Sequence, residues 1–372
     1  MSSRSPVVVL LGGPSAEHDV SVVSGTAIAA AIAAEGHPVS QVLIDLDGAW
    51  WWLPDGHRRD ERPVAAYDDP AALGADGPFA VGAALDRLAA ARPAPVVAIA
   101  LHGPFGEDGT VQALLEVAGL AYTGSGVAAS AIGMDKTLFK RLCRGIGLPV
   151  VDWREVHATH WATDPAGTHR ELVAFAAGAA DPRLMVKPAR LGSSLGMTLV
   201  HDPLELDAAL DAAFRHDTLA LVETYVPGAR DLEVAILGNG PADLELYGPG
   251  EIVSGHEFYD YAAKYTAGLS RTMTRADVTD HQRATLHKIA RDAFRAIGAA
   301  GFARVDFLLA GDAIFLSEIN TIPGFTPISL FPTMPAEGGY TFGTVCTRVV
   351  ELAIERHGLR AGRRVRPADL PR

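Results

Sequence analysis

Residues 184–200, with the sequence LMVKPARLGSSLGMTLV, place two apolar runs on either side of a segment rich in glycine and serine. The first four and the last four residues of this stretch have the composition of short buried strands. Two strands joined by a glycine-rich loop predict a hairpin, so the sheet here is at least partly antiparallel. The backbone N–H groups of the loop, the hydroxyls of Ser193 and Ser194, and the charge of Lys187 can together hold a phosphate.

Two other motifs compete with this interpretation. Residues 192–196 match Gly-x-Ser-x-Gly, in which Ser194 would be the nucleophile of a hydrolase. That motif requires a helix after the serine, whereas a strand pattern follows here, so phosphate binding is favoured over a serine hydrolase. Residues 124–129 approach a dinucleotide fingerprint, but no acidic residue follows at the ribose-binding spacing. We interpret them as a turn that opens a short helix, and the chain has no P-loop motif.

The first third of the chain alternates strand and helix patterns. Short apolar runs predict buried strands at 7–11, 42–45 and 96–101. Helical patterns follow at 20–34 and 112–117. This alternation predicts an open parallel sheet over about residues 1–128. The segment 54–78, rich in Asp, Pro and Gly, is predicted to be an exposed insertion.

The composition excludes several classes of protein. The 372 residues are 48% hydrophobic and 20% charged, which excludes a disordered or fibrous chain. A net charge of −12 argues against nucleic acid as a general partner. Two cysteines far apart in sequence cannot build a disulfide framework, and no apolar run has the length of a membrane span or the context of a signal peptide. We therefore expect a cytoplasmic protein without a membrane partner.

The last third contains a second group of polar residues within apolar surroundings. Two apolar runs on either side of a turn at 311–312 predict a pair of strands. Because residues two apart on a strand face the same way, Arg304 and Asp306 would share one face of the sheet with Glu318 and Asn320. Two carboxylates and an amide oxygen suit Mg²⁺ or Mn²⁺, with phosphate completing the coordination. The alternative is a solvated face with a cross-strand ion pair, which the apolar neighbours disfavour.

Two long segments of the last third show no regular period. Residues 255–275 are polar and aromatic, and residues 321–339 are rich in Pro and Gly. We expect both to be long loops, since such loops in compact domains often cover or line a binding site.

Seven segments, in this order along the chain, resemble the D-alanine–D-alanine ligases of the ATP-grasp superfamily. They are 12–21 (GGPSAEHDVS), 101–109 (LHGPFGEDG), 134–136 (MDK), 186–196 (VKPARLGSSLG), 258–265 (FYDYAAKY), 304–306 (RVD) and 318–324 (EINTIPG). The resemblance implies an α/β chain of three domains: a Rossmann-like parallel-sheet domain at 1–128, and two α+β domains, at 129–220 and 221–372, that hold ATP between them.

The resemblance also implies a reaction. In that family ATP phosphorylates the carboxylate of one D-alanine to an acyl phosphate, and the amine of a second D-alanine displaces the phosphate to give D-alanyl-D-alanine for peptidoglycan synthesis. ATP, two Mg²⁺ (or Mn²⁺) ions and a homodimer are then expected. The alternatives are a sister ligase that uses D-lactate or D-serine as its second substrate and, outside the ligases, a nucleotide-binding regulator without turnover.

Matching the family's motifs residue by residue implies a nucleotide site. Lys136 and Lys187 are expected to bind the α- and β-phosphates, beside the loop that carries Ser193 and Ser194. The adenine base is expected to contact Glu223, the backbone of Tyr225 and Val226, and Phe258. The γ-phosphate is expected to contact Lys264. Asp231 stands where the family has a ribose-binding glutamate, so its contact is expected to be weaker or to run through water. The ions are expected to bind Asp306, Glu318 and Asn320.

The same matching implies positions for the two amino acids. Glu17 would pair with the ammonium of the first D-alanine, and His102 would assist its carboxylate. The expected donors to the tetrahedral oxyanion are Arg304 and the Gly324 N–H, and those to the second carboxylate are Ser329 and the Leu330 N–H. Ser193, Tyr265 and Glu17 would form a hydrogen-bonded triad that closes the site. The Lys264-Tyr265 pair implies D-alanine rather than D-lactate as the second substrate.

Overall fold

The computed structural model describes residues 4–60, 62–240, 243–254 and 270–361. Three β-sheets flanked by helices make up this part of the chain, and the predicted α/β class is confirmed. Within these ranges, none of the helices combines the length and apolar character needed to span a membrane.

The first sheet has the strand order β4-β3-β2-β1-β5-β6. Its strands are β1 (Val7–Gly12), β2 (Val39–Ile44), β3 (Trp50–Trp52), β4 (Asp76–Phe79), β5 (Val96–Ile99) and β6 (Ala121–Tyr122). The accompanying helices are α1 (His18–Ala34), α2 (Val81–Ala90), α3 (Thr110–Val117) and α4 (Val127–Met134). The pairs β2–β1, β1–β5 and β5–β6 are parallel, as predicted. The loops that follow β1 and β5 therefore leave the sheet at the same edge, which brings residues 12–21 and 101–109 together.

The prediction of an exposed insertion at 54–78 is wrong in part. Asp76–Phe79 is a strand, and β3 and β4 extend the sheet as an antiparallel edge. Within the insertion, Val64–Asp68 forms a 3-10 helix whose Tyr67 is fully buried against Leu11 and Leu43. The many Asp, Pro and Gly residues of this segment gave no indication that Tyr67 is buried, because composition reports the average of a segment rather than its contacts.

The second sheet is antiparallel, in the order β7-β10-β8-β9. Its strands are β7 (Trp153–His157), β8 (Leu184–Pro188), β9 (Thr198–Val200) and β10 (Leu219–Thr224). The helices of this region are α5 (Lys136–Gly145), α6 (Ala158–Thr163), α7 (Pro165–Ala177) and α8 (Leu206–Phe214), with a 3-10 turn at Pro203–Glu205. The predicted hairpin is confirmed, since β8 and β9 pair directly. The domain limit expected at residue 220 falls inside β10, which pairs along its length with β7 and β8.

The third sheet is also antiparallel, in the order β13-β12-β11-β14-β15. Its strands are β11 (Arg230–Gly238), β12 (Glu245–Ser254), β13 (Ser270–Met273), β14 (Gly301–Ala310) and β15 (Ala313–Asn320). Helix α9 (Asp280–Ala296) packs its apolar side against β11, β14 and β15. The loop predicted for 255–275 is wrong at its end, where 270–273 is the edge strand, and residues 255–269 lie outside the described ranges.

The segment 321–339, predicted to be a loop, contains α10 (Leu330–Thr333) and a 3-10 helix at Met334–Gly338. Phe331 is fully buried between the rings of Phe302 and Phe325, with ring centroids 5.4 and 5.2 Å away. Helix α11 (Phe342–Ala361) follows and packs with this cluster against α1. The last third of the chain is thereby attached to the first sheet, which places residues 320–330 beside the loops after β1 and β5.

Candidate active site

Strands β14 and β15 bring the predicted metal ligands together. Their register places Arg304 opposite Asn320 and Asp306 opposite Glu318. Along β14, buried residues alternate with half-buried ones, so Arg304 and Asp306 share the accessible face. The turn at 311–312 keeps the two strands in this register, with Gly311 in the left-handed conformation that a tight turn requires.

Arg304 is fixed within this face by two carboxylates. Its guanidinium donates two hydrogen bonds to Asp306, of 2.7 and 2.6 Å, and its Nε lies 3.2 Å from Glu233 Oε1. The Asn320 amide donates to Asp306 Oδ2 at 2.9 Å. Burial alone would lower the pKa of Arg304, but Asp306 and Glu233 outweigh it and raise that pKa well above its usual value. Glu233, which faces Asp306 from β11, was missed in the sequence, although a charge inside the apolar run 232–237 was a usable signal.

The oxygen atoms on this face can bind a hard cation only together with further oxygen ligands from a bound molecule. In the described parts of the chain, no three His, Cys, Asp or Glu side chains converge on one metal position. Asp306, Glu318 and Asn320 offer two carboxylates and an amide, which are oxygen ligands of the kind that Mg²⁺ prefers. Mg²⁺ usually takes its remaining ligands from water and substrate phosphates. The group therefore suits a metal that arrives with a nucleotide.

Lys136 connects this face to the glycine and serine loop. Its Nζ lies 3.0 Å from Glu318 Oε2 and donates to the Leu191 carbonyl at 2.8 Å. Burial lowers the pKa of Lys136, but Glu318 more than compensates and the net shift is upward. The Asp135 carboxylate caps the first turn of α5 by accepting from the N–H groups of Thr137 and Leu138, both at 3.0 Å. The cap fixes where the helix begins and hence where Lys136 points.

The loop between β8 and β9 has an unusual backbone. Ser193 and Ser194 have φ values of 50° and 56°, and Gly196 has a φ of 68°. Two successive non-glycine residues in the left-handed region are costly, by about 1–3 kcal/mol each, and such strain clusters at ligand-binding loops. A strand follows the loop, so the strand–serine–helix arrangement of a hydrolase elbow is absent at Ser194. The serine hydrolase alternative is wrong on this topology.

Glu17 reaches the same loop from the first sheet. It is 5% exposed, and its Oε1 accepts a hydrogen bond from Ser193 Oγ. A Cβ built on Gly103 would lie 2.5 Å from Glu17 Oε2, so only glycine allows this approach. Among the described residues, Oε2 has no hydrogen-bond partner. A buried carboxylate oxygen without a partner is suited to an ammonium group.

His102 and Glu107, from the loop after β5, both contact the backbone of Ile322. His102 Nδ1 lies 3.1 Å from the Ile322 carbonyl and its Nε2 lies 2.9 Å from Ser24 Oγ, while burial lowers its pKa. The Glu107 carboxyl accepts from the N–H groups of Gly103 at 2.9 Å and Ile322 at 3.1 Å. Burial, reinforced by the charge of Glu17, raises the pKa of Glu107 to about 8. Glu107 was not singled out in the sequence, although it lies inside the segment 101–109.

Glu223, at the end of β10, pairs with two lysines. Lys187 Nζ lies 2.5 Å from Glu223 Oε2, and Lys140 Nζ forms an ion pair with Oε1. Burial raises the pKa of Glu223, but the two lysines outweigh it and bring that pKa to about 2. No motif in the sequence includes Lys140, although its position four residues after Lys136 on a helix places it on the same side.

The segment after Glu223 leaves the second sheet at the end of β10. The Tyr225 N–H donates to the Arg183 carbonyl at 3.1 Å, and the Arg183 guanidinium lies 4.2 Å over the tyrosine ring. Val226 is half-buried beside it. Asp231 follows on β11, where it faces Leu308 of β14.

Gly324 and Ser329 lie close together in the segment after β15. A Cβ on Gly324 would lie 3.5 Å from Ser329 Oγ. Ser329 Oγ accepts from the Thr326 N–H at 3.1 Å and so closes this turn at the start of α10, where Leu330 is the first residue. The predicted residues Phe258, Lys264 and Tyr265 lie outside the described ranges, as does the contact of Tyr265 with Ser193 and Glu17.

Comparison with known proteins matches two long stretches of the chain to one family. The family model described as "D-ala D-ala ligase N-terminus" matches residues 6–125, and the one described as "D-ala D-ala ligase C-terminus" matches residues 142–351. The chain belongs to the D-alanine–D-alanine ligase family. The resemblance seen in the sequence is confirmed, and the fold is that of an ATP-grasp enzyme.

Relatives in this family align over nearly the whole chain. The D-alanine–D-alanine ligase of Kineococcus radiotolerans is 40% identical, with 94% of this chain and 96% of the relative covered. That of Kocuria rhizophila is 39% identical, with 94% of both covered. Among solved structures, the D-alanine-D-alanine ligase from Coxiella burnetii has a TM-score of 0.78 at 31% identity, covering 97% of both chains. The VanG D-Ala:D-Ser ligase from Enterococcus faecalis has a TM-score of 0.78 at 28% identity, covering 94% of this chain and 99% of the other.

Proposed function

We propose that this chain joins two D-alanine molecules to D-alanyl-D-alanine at the expense of ATP. One observation carries the proposal: Lys136 Nζ contacts both Glu318 and the Leu191 carbonyl. The carboxylate face and the strained loop therefore line one cleft. A nucleotide in that cleft would have its phosphates between the loop and the oxygen ligands. Relatives at 37–40% identity carry the name D-alanine–D-alanine ligase, which favours D-alanine as the second substrate.

The first step transfers the γ-phosphoryl group of ATP to the carboxylate of one D-alanine, which gives D-alanyl phosphate and ADP. Glu17 would hold the ammonium of this D-alanine through Oε2, which has no hydrogen-bond partner among the described residues. His102 would assist the substrate carboxylate. These contacts orient the nucleophile toward the phosphorus, which is the main contribution that a protein makes to phosphoryl transfer.

Bound Mg²⁺ would neutralise the phosphate charge and so let a carboxylate approach ATP. Asp306, Glu318 and Asn320 would hold two such ions. Lys136 and Lys187 would hold the α- and β-phosphates, with Ser193 and Ser194 in the phosphate loop, and Lys264 would meet the γ-phosphate. Glu223, the backbone of Tyr225 and Val226, and Phe258 would contact the adenine, and Asp231 the ribose.

In the second step the amine of the other D-alanine attacks the carbonyl carbon of D-alanyl phosphate, the bond from that carbon to the phosphate oxygen breaks, and the amine proton goes to the departing phosphate. Negative charge develops on the carbonyl oxygen, where Arg304 and the Gly324 N–H would donate. Arg304 suits this role because Asp306 and Glu233 fix its orientation beforehand. Ser329 and the Leu330 N–H would hold the second carboxylate. Tyr265 would join Ser193 and Glu17 and help to keep water from the acyl phosphate.

Phosphate release from ATP tests the proposal. The purified protein should release phosphate and form the dipeptide with D-alanine, but not with L-alanine, and D-lactate added to D-alanine should yield no depsipeptide at neutral pH. Comparable turnover with D-lactate or D-serine would assign another second substrate. Nucleotide binding without phosphate release would indicate a regulator. We also propose that the protein is cytoplasmic and that it forms a homodimer. Sedimentation of the purified protein would test the homodimer.

A further inference from the structure

Helix α5 carries two buried lysines, one turn apart. Lys136 and Lys140 are four residues apart, so their positions differ by about 6 Å along the helix axis. Lys136 contacts the phosphate loop and Glu318, whereas Lys140 reaches the far end of the cleft and pairs with Glu223. The helix therefore presents one cation to each end of the proposed nucleotide site.

The Glu223 carboxylate lies between two ammonium groups. Lys140 pairs with one oxygen and Lys187 with the other, at 2.5 Å for Lys187. The side chains of Lys140, Lys187 and Glu223 are 1%, 10% and 7% exposed. Because the group is buried, each charge depends on the others rather than on water.

Nucleotide binding would separate Lys187 from Glu223 and leave Lys140 in place. If Lys187 moves to the phosphates, Glu223 loses one of its two cations while it accepts the adenine amino group. Lys140 cannot follow, since its position on α5 and its exposure of 1% hold it at Glu223. A buried carboxylate that lost both cations would take up a proton and would then donate rather than accept.

We propose that Lys140 is a specificity-determining positioning residue for the nucleotide base, because it keeps Glu223 ionised and oriented when Lys187 transfers to phosphate. This inference rests on the proposed function. The 6-amino group of adenine donates a hydrogen bond to an ionised carboxylate. Guanine carries a carbonyl oxygen at that position, which an ionised carboxylate repels. Lys140 thus sets the preference for adenine over guanine without touching the base.

The variant Lys140→Met tests this by removing the charge and keeping the length of the side chain. Calorimetric titration with ADP and with GDP gives the two affinities, and steady-state rates give KM for D-alanine. We expect ADP to bind at least about tenfold more weakly and the ratio of ADP to GDP affinity to fall by a similar factor, while KM for D-alanine changes by less than about twofold. The matched control is Arg141→Met, one position further on α5, whose exposed guanidinium pairs with Glu155.

A double-mutant cycle separates a specific role from a structural one. If Lys140 acts through Glu223, then Lys140→Met has little further effect on ADP affinity when Glu223 is already glutamine. The inference would be overturned if Lys140→Met weakened the binding of ADP and GDP equally, or left the affinity for ADP unchanged. Full additivity of Lys140→Met with Glu223→Gln would overturn it as well. Lys140→Gln, which keeps a donor beside Glu223, replaces the methionine variant if that protein does not fold. Failure of the unmodified chain to bind ADP at all would instead contradict the proposed function.

Discussion

Glu17 and Gly192 are so close that a Cβ at position 192 would lie 2.9 Å from Glu17 Oε2 and 3.1 Å from Oε1. The two residues belong to different parts of the chain, the loop after β1 and the loop after β8. Their contact, together with the hydrogen bond from Ser193, joins the first sheet to the phosphate loop across a sequence separation of 176 residues. The glycine is needed here for space, because its φ is not in the left-handed region.

Gly192→Ala should therefore impair catalysis more than folding. The added methyl group displaces the end of a glutamate side chain, which can rotate away at little cost in stability. The rotated carboxylate no longer meets the substrate ammonium, and a misplacement of about 1 Å can cost ~100-fold in rate. We expect kcat/KM for D-alanine to fall ten- to about a hundredfold with a nearly unchanged Tm. Gly145→Ala, where the added Cβ would meet nothing within 4 Å, is the control and should retain activity.

Glu107 should make the stability of the protein depend on pH. Its pKa is raised to about 8, first by burial and then by Glu17, although Lys136 and the N–H groups of Gly103 and Ile322 oppose the shift. The folded state thus binds this proton more tightly than the unfolded chain, whose carboxyl has the ordinary value of 4.5. The resulting stabilisation is complete below pH 4.5 and is lost as the pH rises to about 8.

Urea unfolding between about pH 5 and pH 8.5 measures this effect. The free energy of unfolding of the unmodified chain should decline with rising pH more steeply than that of Glu107→Gln, which cannot titrate. Identical pH profiles for the two proteins would contradict the assigned shift. Because other groups titrate in the same range, only the difference between the two profiles reports on Glu107.

The parts of the fold that were predictable from sequence are local. Strands β14 and β15 and the hairpin at 184–200 each lie within a short stretch whose period, glycine and turn residues specify the pairing. Arg304, Asp306, Glu318 and Asn320 could be assigned to one face because side chains alternate along a strand. The 321–339 segment could not be predicted in this way, since its Pro and Gly residues indicate a loop while its order comes from aromatic contacts with distant residues.

The candidate site shows the same division. The motifs name candidate residues within short stretches of sequence, whereas Lys140, Glu107 and Glu233 were not named by them. Each of these three acts through a partner from another element: Glu223 on β10, Ile322 after β15, and Arg304 on β14. A charged residue in an apolar context shows that a partner must exist, but only the packed structure shows which residue it is.

The aromatic cluster around Phe331 should be a major source of stability. Its ring is fully buried and contacts Phe302 and Phe325, which lie on the third sheet and in the segment after it. Truncation to alanine leaves a cavity in a packed core, and Phe331→Ala should lower the free energy of unfolding by about 3–5 kcal/mol. Ile328→Ala, in the same segment but with 86% exposure, should change it by less than about 0.5 kcal/mol. Urea denaturation compares the two, and similar losses would show that the cluster does not anchor the segment.

The carboxylate of Glu318 should set the requirement for Mg²⁺. Glu318→Gln keeps the shape of the side chain and removes a negative charge from the proposed ligand set. We expect the Mg²⁺ concentration that gives half-maximal phosphate release to rise at least about tenfold, because Mg²⁺ prefers anionic oxygen ligands. Asp312→Asn, in the exposed turn between the same strands, should leave this concentration unchanged. A lower maximal rate at an unchanged Mg²⁺ requirement would instead assign Glu318 to the positioning of Lys136, whose Nζ lies 3.0 Å away.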